Sequence, residues 1–195
     1  MREASTRYVL LGVLATAGPL TGFDIRAFLD RSVSYFWRES YGQIYPELKR
    51  LAEEGLIEDA SPGAGPRDAR PWRITRAGRA VLKEWLNRPP QSAPVRDELL
   101  LKLFFSRHAP SAAARALIAR AKDSAEARAA EFEAAEALVL SEPGDADLLG
   151  SLLTLERGRI MARAQQDWCA RAAAFVDAWE SGGAEALIRR WRKKT

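Results

Sequence analysis

The chain has 195 residues, 47% of them hydrophobic, and a net charge of +4, enough for one ordinary domain plus a smaller one, each with an apolar core. A single cysteine, Cys169, and a single histidine, His108, exclude an intrachain disulfide, a Cys/His metal cluster and a nucleophile–base pair, and fit a reducing cytoplasm. No apolar run approaches the roughly eighteen residues that a membrane span needs.

The charge is unevenly spread. Residues 1–60 carry seven Arg/Lys against nine Asp/Glu, residues 61–88 carry seven against two, and residues 89–195 carry sixteen against fifteen. The excess of +5 in 61–88 marks one basic surface, the footprint expected of a partner with phosphates.

In chain order, Tyr8, Val9, Leu11, Leu14 and Ala15 recur at helical spacing, so 6–17 is a first helix. Arg7 and Ala15-Thr16-Ala17 imitate a signal peptide, but the apolar run is short and leads at once into another amphipathic segment. Gly18-Pro19 ends the helix. Thr21 with Asp24 three residues on starts a second helix, expected to bury Phe23, Ile25, Phe28 and Leu29 and to run on towards Phe36. Ser40 with Gln43 starts a third, whose Ile44, Leu48 and Leu51 form one face and whose end is capped by Gly55. Pro46 should make its first turn irregular.

Next, 56–58 and 70–75, separated by the Gly/Pro-rich 61–66, predict a β-hairpin with Trp72 and Ile74 alternating around Arg73. Thr75 caps a fourth helix carrying Val81, Leu82, Trp85 and Leu86. Pro89-Pro90 and Pro94 form a stiff linker, which sets the domains at 1–90 and 91–195. Beyond it the chain reads as all helix. A short helix holds Leu99, Leu100, Leu103, Phe104 and Phe105, and an alanine-rich one spans 111–140. Pro143-Gly144 breaks it. A last helix over 145–181 repeats Met161, Ala164, Trp168, Ala172, Phe175 and Trp179, a stripe that calls for a partner helix. A short basic tail, 184–194, follows.

Little here suggests catalysis. Gly63-Ala64-Gly65 begins like a dinucleotide loop but continues Pro66-Arg67-Asp68 and precedes a strand rather than a helix. Glu126, Glu131, Glu133 and Glu136 read as a solvated helix face. No metal ligands, catalytic residues or cofactor are expected.

Three helices, a two-stranded hairpin and a fourth helix within ninety residues make a winged helix-turn-helix, whose third helix enters the major groove while the hairpin lies along the backbone or minor groove. With Ile44, Leu48 and Leu51 inward, the opposite face carries Gly42, Pro46 and Lys49, flanked by Gln43, Tyr45 and Arg50. Gln43 suits an adenine edge, and Tyr45 and Lys49 suit guanine or phosphate oxygens. On the hairpin, Arg67, Arg70 and Arg73 have only Asp68 opposing them in the sequence around them, as a phosphate-binding surface would.

The stretch 40–51, SYGQIYPELKRL, followed by Glu54-Gly55-Leu56-Ile57, resembles the recognition helix of the PadR family of bacterial transcription regulators. Trp72-Arg73-Ile74-Thr75-Arg76-Ala77-Gly78-Arg79 resembles that family's second wing strand, with Trp72 where a tyrosine is common. Residues 10–14 and 18–25 match its first two helices. The segment Arg96–Phe105, RDELLLKLFF, is similar to the larger PadR subgroup related to virulence activators. The resemblance implies a C-terminal helical domain that makes a homodimer, repression of a neighbouring operon, and release by a small molecule, sometimes a phenolic acid.

The sequence therefore predicts a mainly α protein: a winged helix-turn-helix DNA-binding domain at 1–90 and a helical dimerisation domain at 91–195, with Leu103, Met161, Trp168, Phe175 and Trp179 in the dimer core. The expected partners are a pseudo-palindromic duplex, a second copy of the chain and an aromatic effector. Two other readings are a winged-helix protein-interaction module, against which the arginine-rich wing argues, and a small-molecule-binding protein without DNA function, which would need the C-terminal aromatics to line a pocket.

Overall fold

A computed structural model describes residues 2–34, 36–37, 41–62, 70–90, 96–141 and 148–193, with the side chains of 2–5 and 41 left aside. Ser40, Arg67, Pro94, Pro143-Gly144 and Lys194 lie outside the described residues. The fold is mainly α, and the chain forms two compact units, Met1–Ser92 and Ala93–Thr195.

The first unit is built around α1, Arg2–Ala17. Leu10, Leu11 and Leu14 are wholly buried and Val13 nearly so, so the stretch that imitates a signal peptide is the centre of a hydrophobic core. Gly18 takes the left-handed backbone, φ 82°, which a residue with a Cβ rarely adopts, and turns the chain into α2, Gly22–Ser32. Thr21 Oγ1 accepts from the Asp24 backbone N–H at 3.2 Å, and Asp24 Oδ2 accepts from the Thr21 N–H at 3.2 Å. This reciprocal capping box satisfies two of the helix's orphan donors.

Two expectations for α2 are corrected. It buries Ile25 and Leu29 but leaves Phe23 71% exposed, because two residues along a helix turn the side chain by about 200°, away from the Ile25 face. It also ends at Ser32, with the capping N–H of Val33 on the Leu29 carbonyl, short of Phe36.

Helix α3 spans Tyr41–Glu53. Ile44, Leu48 and Leu51 are buried and pack into the α1–α2 core. Pro46 sits inside a continuous helix, contrary to the irregular first turn expected. The proline lacks only the N–H that would bond the Gly42 carbonyl, in the exposed first turn of the helix. At the other end Leu56 N–H donates to the Leu51 carbonyl at 2.9 Å and Gly55 N–H to the Ala52 carbonyl at 3.0 Å, with Gly55 at φ 69°. This is a Schellman cap, and its apolar contact is supplied by the buried pair Leu51 and Leu56.

Strands β1, Ile57–Asp59, and β2, Trp72–Ile74, pair antiparallel with Ile57 opposite Ile74, Glu58 opposite Arg73 and Asp59 opposite Trp72. Leu20 and Trp72 exchange both backbone bonds, at 3.1 and 2.8 Å, which ties the α1–α2 turn to the hairpin. Thr75 Oγ1 donates to the Gly55 carbonyl at 2.8 Å and accepts from the Gly78 N–H at 3.1 Å, capping α4, Arg76–Leu86. Val81 and Leu82 of α4 join the core. Trp85 stacks on Tyr8 at 4.7 Å between centroids, and Leu86 stays exposed.

In the second unit Asp97 caps α5, Glu98–Phe104, and a short 3-10 helix, Ser106–His108, leads into α6, Ser111–Ser141. Helix α7, Leu148–Arg192, extends past the expected end at 181 and is interrupted at Gly182 and Gly183. Helices α6 and α7 run antiparallel: Arg115 on α6 bonds Asp177 and Glu180 on α7, while Glu136 bonds Arg159. Glu136 therefore does not belong to the solvated face assigned to it. The seam between them buries Ile118, Ala125 and Phe132 against Leu155, Ala162 and Cys169, positions seven apart on both helices, as in a coiled coil. Among the described residues, no helix is long and apolar enough to cross a membrane.

Candidate nucleic-acid interface

Burial of the Ile44, Leu48 and Leu51 face points the rest of α3 to solvent. Gly42, Tyr45, Pro46, Lys49 and Arg50 are exposed and Gln43 is half-buried. Tyr45, 50% exposed, lays its ring against the first turn of α2: a Cβ on Gly22 would come within 2.6 Å of the ring. Glycine there lets the two helices of the helix-turn-helix approach closely. Gly22 was missed in the sequence, since its local signal is only that of a residue following a cap.

The cations of this face carry carboxylates with them. Arg50 Nη1 donates to Glu47 Oε2 at 2.7 Å, with the Glu47 side chain nearly buried, and Lys49 Nζ lies 3.8 Å from Glu53. The hairpin behaves likewise. Arg73 Nε donates to Glu58 Oε1 at 2.8 Å, and Arg70 Nη1 to Asp59 Oδ2 at 3.0 Å. The expectation that only Asp68 opposes the wing arginines is thus corrected. Antiparallel register brings in Glu58 and Asp59 from a strand more than ten residues earlier in the chain, beyond the local charge pattern. The Lys49–Glu53 and Arg73–Glu58 pairs, half exposed or more, are each worth about 1 kcal/mol or less, so an incoming phosphate can displace the carboxylate. At the end of α4, Glu84 bonds the Arg88 guanidinium and, with a smaller contribution from Tyr8, holds its pKa above the ordinary arginine value.

The residues expected in a dimer core do not lie in the α6–α7 seam. Met161 and Trp179 are 55% and 51% exposed, and Leu103, Trp168 and Phe175 are half-buried. Phe175 touches Trp191, 5.8 Å away, and the Arg190 guanidinium, 5.6 Å from its centroid. Among the described residues no group of His, Cys, Asp or Glu could hold a metal ion.

Three helices in this order, a hairpin pinned to the turn before α2 and a fourth helix capped by Thr75 define a winged helix-turn-helix protein. The chain carries a domain of the PadR-like family of transcriptional regulators at residues 10–84, followed by a virulence activator alpha C-terminal domain at residues 95–177. The negative transcriptional regulator PadR of Bacillus subtilis is 36% identical over 101 residues, 51% of this chain and 55% of that protein, so the chain spans about half the length of this curated relative. The structure of B. subtilis PadR in complex with operator DNA superposes with a TM-score of 0.75 at 25% identity, over 87% of this chain and 98% of the other. The same protein in complex with p-coumaric acid gives 0.73 at 26% identity, over 88% and 98%. The Vibrio cholerae virulence activator AphA gives 0.70 at 29% identity, over 89% and 98%.

Proposed function

We propose that this chain is a homodimeric, sequence-specific DNA-binding regulator in the cytoplasm, with no enzymatic activity, that represses a neighbouring operon until an aromatic small molecule releases it. The observation that carries the reading is the outward face of α3. A helix that commits Ile44, Leu48 and Leu51 to the core presents Gly42, Tyr45, Pro46, Lys49 and Arg50 to solvent, with Gln43 half-buried at the edge of the same face, and a cation-bearing hairpin lies in the same unit. Gln43 is the base reader, donating and accepting at one base edge. Tyr45, Lys49 and Arg50 and the wing residues Arg67, Arg70 and Arg73 hold phosphates. Dimerisation through Leu103, Met161, Trp168, Phe175 and Trp179 sets two half-sites about 34–36 Å apart or a multiple of that. The PadR complexes with operator DNA and with p-coumaric acid support both halves of the reading.

The test is selection of bound sequences from random duplexes, followed by binding of the Gln43→Ala variant to the selected site. Removing a bidentate pair of bonds to a base costs about 1–3 kcal/mol on that site and leaves random duplex binding nearly unchanged. Equal weakening on both would remove Gln43 as the reader. Failure to enrich any sequence would sink the regulator reading itself.

A further inference from the structure

The charge of the second unit is segregated. Residues 89–183 carry eleven Arg/Lys against fourteen Asp/Glu, while 184–195 carry five against one. The boundary between these regions is a structural break. Gly182 and Gly183 leave the helical backbone, Gly183 at φ 58°, ψ −146°, a region essentially confined to glycine. Beyond the break the chain resumes as helix and docks on the preceding stretch of α7. The Trp191 ring meets Phe175 at 5.8 Å, and the half-buried Arg190 places its guanidinium 5.6 Å from the same ring. Arg190 and the face of Trp191 that meets Phe175 thus serve as the attachment, while Arg189, Arg192 and Lys193 are exposed. Arg189 lies 3.5 Å from Glu185 on the preceding turn, in a pair whose side chains are 66% and 88% exposed.

We infer that the segment 184–193 is a second DNA-backbone contact, in which Arg189, Arg192 and Lys193 bind phosphates without regard to sequence. The inference rests on the DNA-binding reading above and adds a site to it. Double-stranded DNA is the polyanion that the winged unit of the same chain already fits, and Arg189, Arg192 and Lys193 are exposed cations on the segment; Ile188 and Trp191 stay 51% and 68% exposed beside them, so the test below includes a lipid surface.

The experiment compares the full chain with Arg189→Gln/Arg192→Gln/Lys193→Gln on a random duplex and on the selected site across a salt series, with circular dichroism and sedimentation confirming fold and assembly. The slope of log K against log salt should flatten by about 0.9 for each phosphate no longer neutralised, up to about 2.7 per protomer, on both duplexes alike. Arg189→Lys/Arg192→Lys, which keeps the charges, should retain the wild-type slope. An unchanged slope in the glutamine variant overturns the inference while leaving the regulator reading intact. Loss of binding to phosphatidylserine vesicles alongside that unchanged slope assigns the cations to a lipid surface instead. A wild-type chain that binds neither duplex removes both readings.

Discussion

Arg73 on β2 stands directly opposite Glu58 on β1, and its Nε donates to the Glu58 carboxylate at 2.8 Å with both side chains about half exposed. The wing's charge is therefore held in reserve until a phosphate competes for Arg73. Glu58→Gln removes the competitor and keeps the shape. Random duplex binding should tighten by a few-fold at low salt, since an exposed pair of this kind is worth about 0.2–1 kcal/mol. Arg73→Ala should do the reverse and flatten the salt slope by about 0.9 per protomer. A Glu58→Gln variant that binds DNA no better than wild type would show that Arg73 keeps its carboxylate in the complex.

How much of this was legible in the sequence varies with the range of the interaction. The Thr21–Asp24 box, the Gly55 cap and the Ile44–Leu48–Leu51 face are local, so spacing alone located them. Phe23 was misplaced because an aromatic beside Ile25 invites burial, although helix geometry puts the two on opposite faces. The Arg73–Glu58 and Arg70–Asp59 pairs depend on strand register, which no window of neighbouring charges contains. In α7 the sequence offers two apolar faces, and bulk drew attention to Met161 and Trp179. The seam instead uses Ala162, Cys169 and, beside Phe132, Gly158, because small residues let two helices approach closely. Small residues therefore mark the seam within the chain, while the bulky Met161–Trp179 stripe is the face proposed for a second copy.

Two glycines on helices illustrate how the obstructing atom sets a cost. A Cβ on Gly78 would lie 2.1 Å from the Leu56 carbonyl oxygen, a backbone atom that also accepts from Thr75. A Cβ on Gly158 would lie 2.4 Å from the Phe132 ring, a side chain that can move. Alanine gains up to about 1 kcal/mol of helix propensity over glycine, against about 1–3 kcal/mol for overpacking. Gly78→Ala should lose about 2 kcal/mol or more in urea unfolding, and Gly158→Ala clearly less. Equal losses would show that the Phe132 ring is as immobile as the backbone.

The acid stability of the second unit should depend on Glu180. Its carboxyl is held below the ordinary glutamate range, first by a hydrogen bond from the Ser111 hydroxyl and then by Arg115, which also bonds Asp177. A carboxyl lowered in the folded state contributes stability that is present above its unfolded value, about 4.3, and lost as pH falls through the folded value. Thermal unfolding followed between pH 6 and pH 3 should show a shallower acid decline for Glu180→Gln than for wild type. Parallel curves would mean that the hydrogen bonds from Ser111 and Arg115 do not persist in solution.

The last prediction separates the two faces of α7. Ala162 is buried against α6, so a glutamate there would place a carboxylate in an apolar seam, at a cost of several kcal/mol that a small helical unit cannot absorb. Ala162→Glu should therefore unfold the second unit, seen as lost helical circular dichroism. Met161, one residue away, is 55% exposed in the single chain. A glutamate at 161 meets water in the monomer, so Met161→Glu should keep its helix content and its urea midpoint at low concentration. If this face is the proposed dimer interface, however, the same charge becomes buried on association. Met161→Glu should then sediment as a monomer at micromolar concentration where wild type is a dimer, and should lose affinity for a two-half-site duplex far more than for a single half-site. A Met161→Glu protein that stays dimeric would remove Met161 from the interface, and with it the assignment of Trp168, Phe175 and Trp179 by the same stripe.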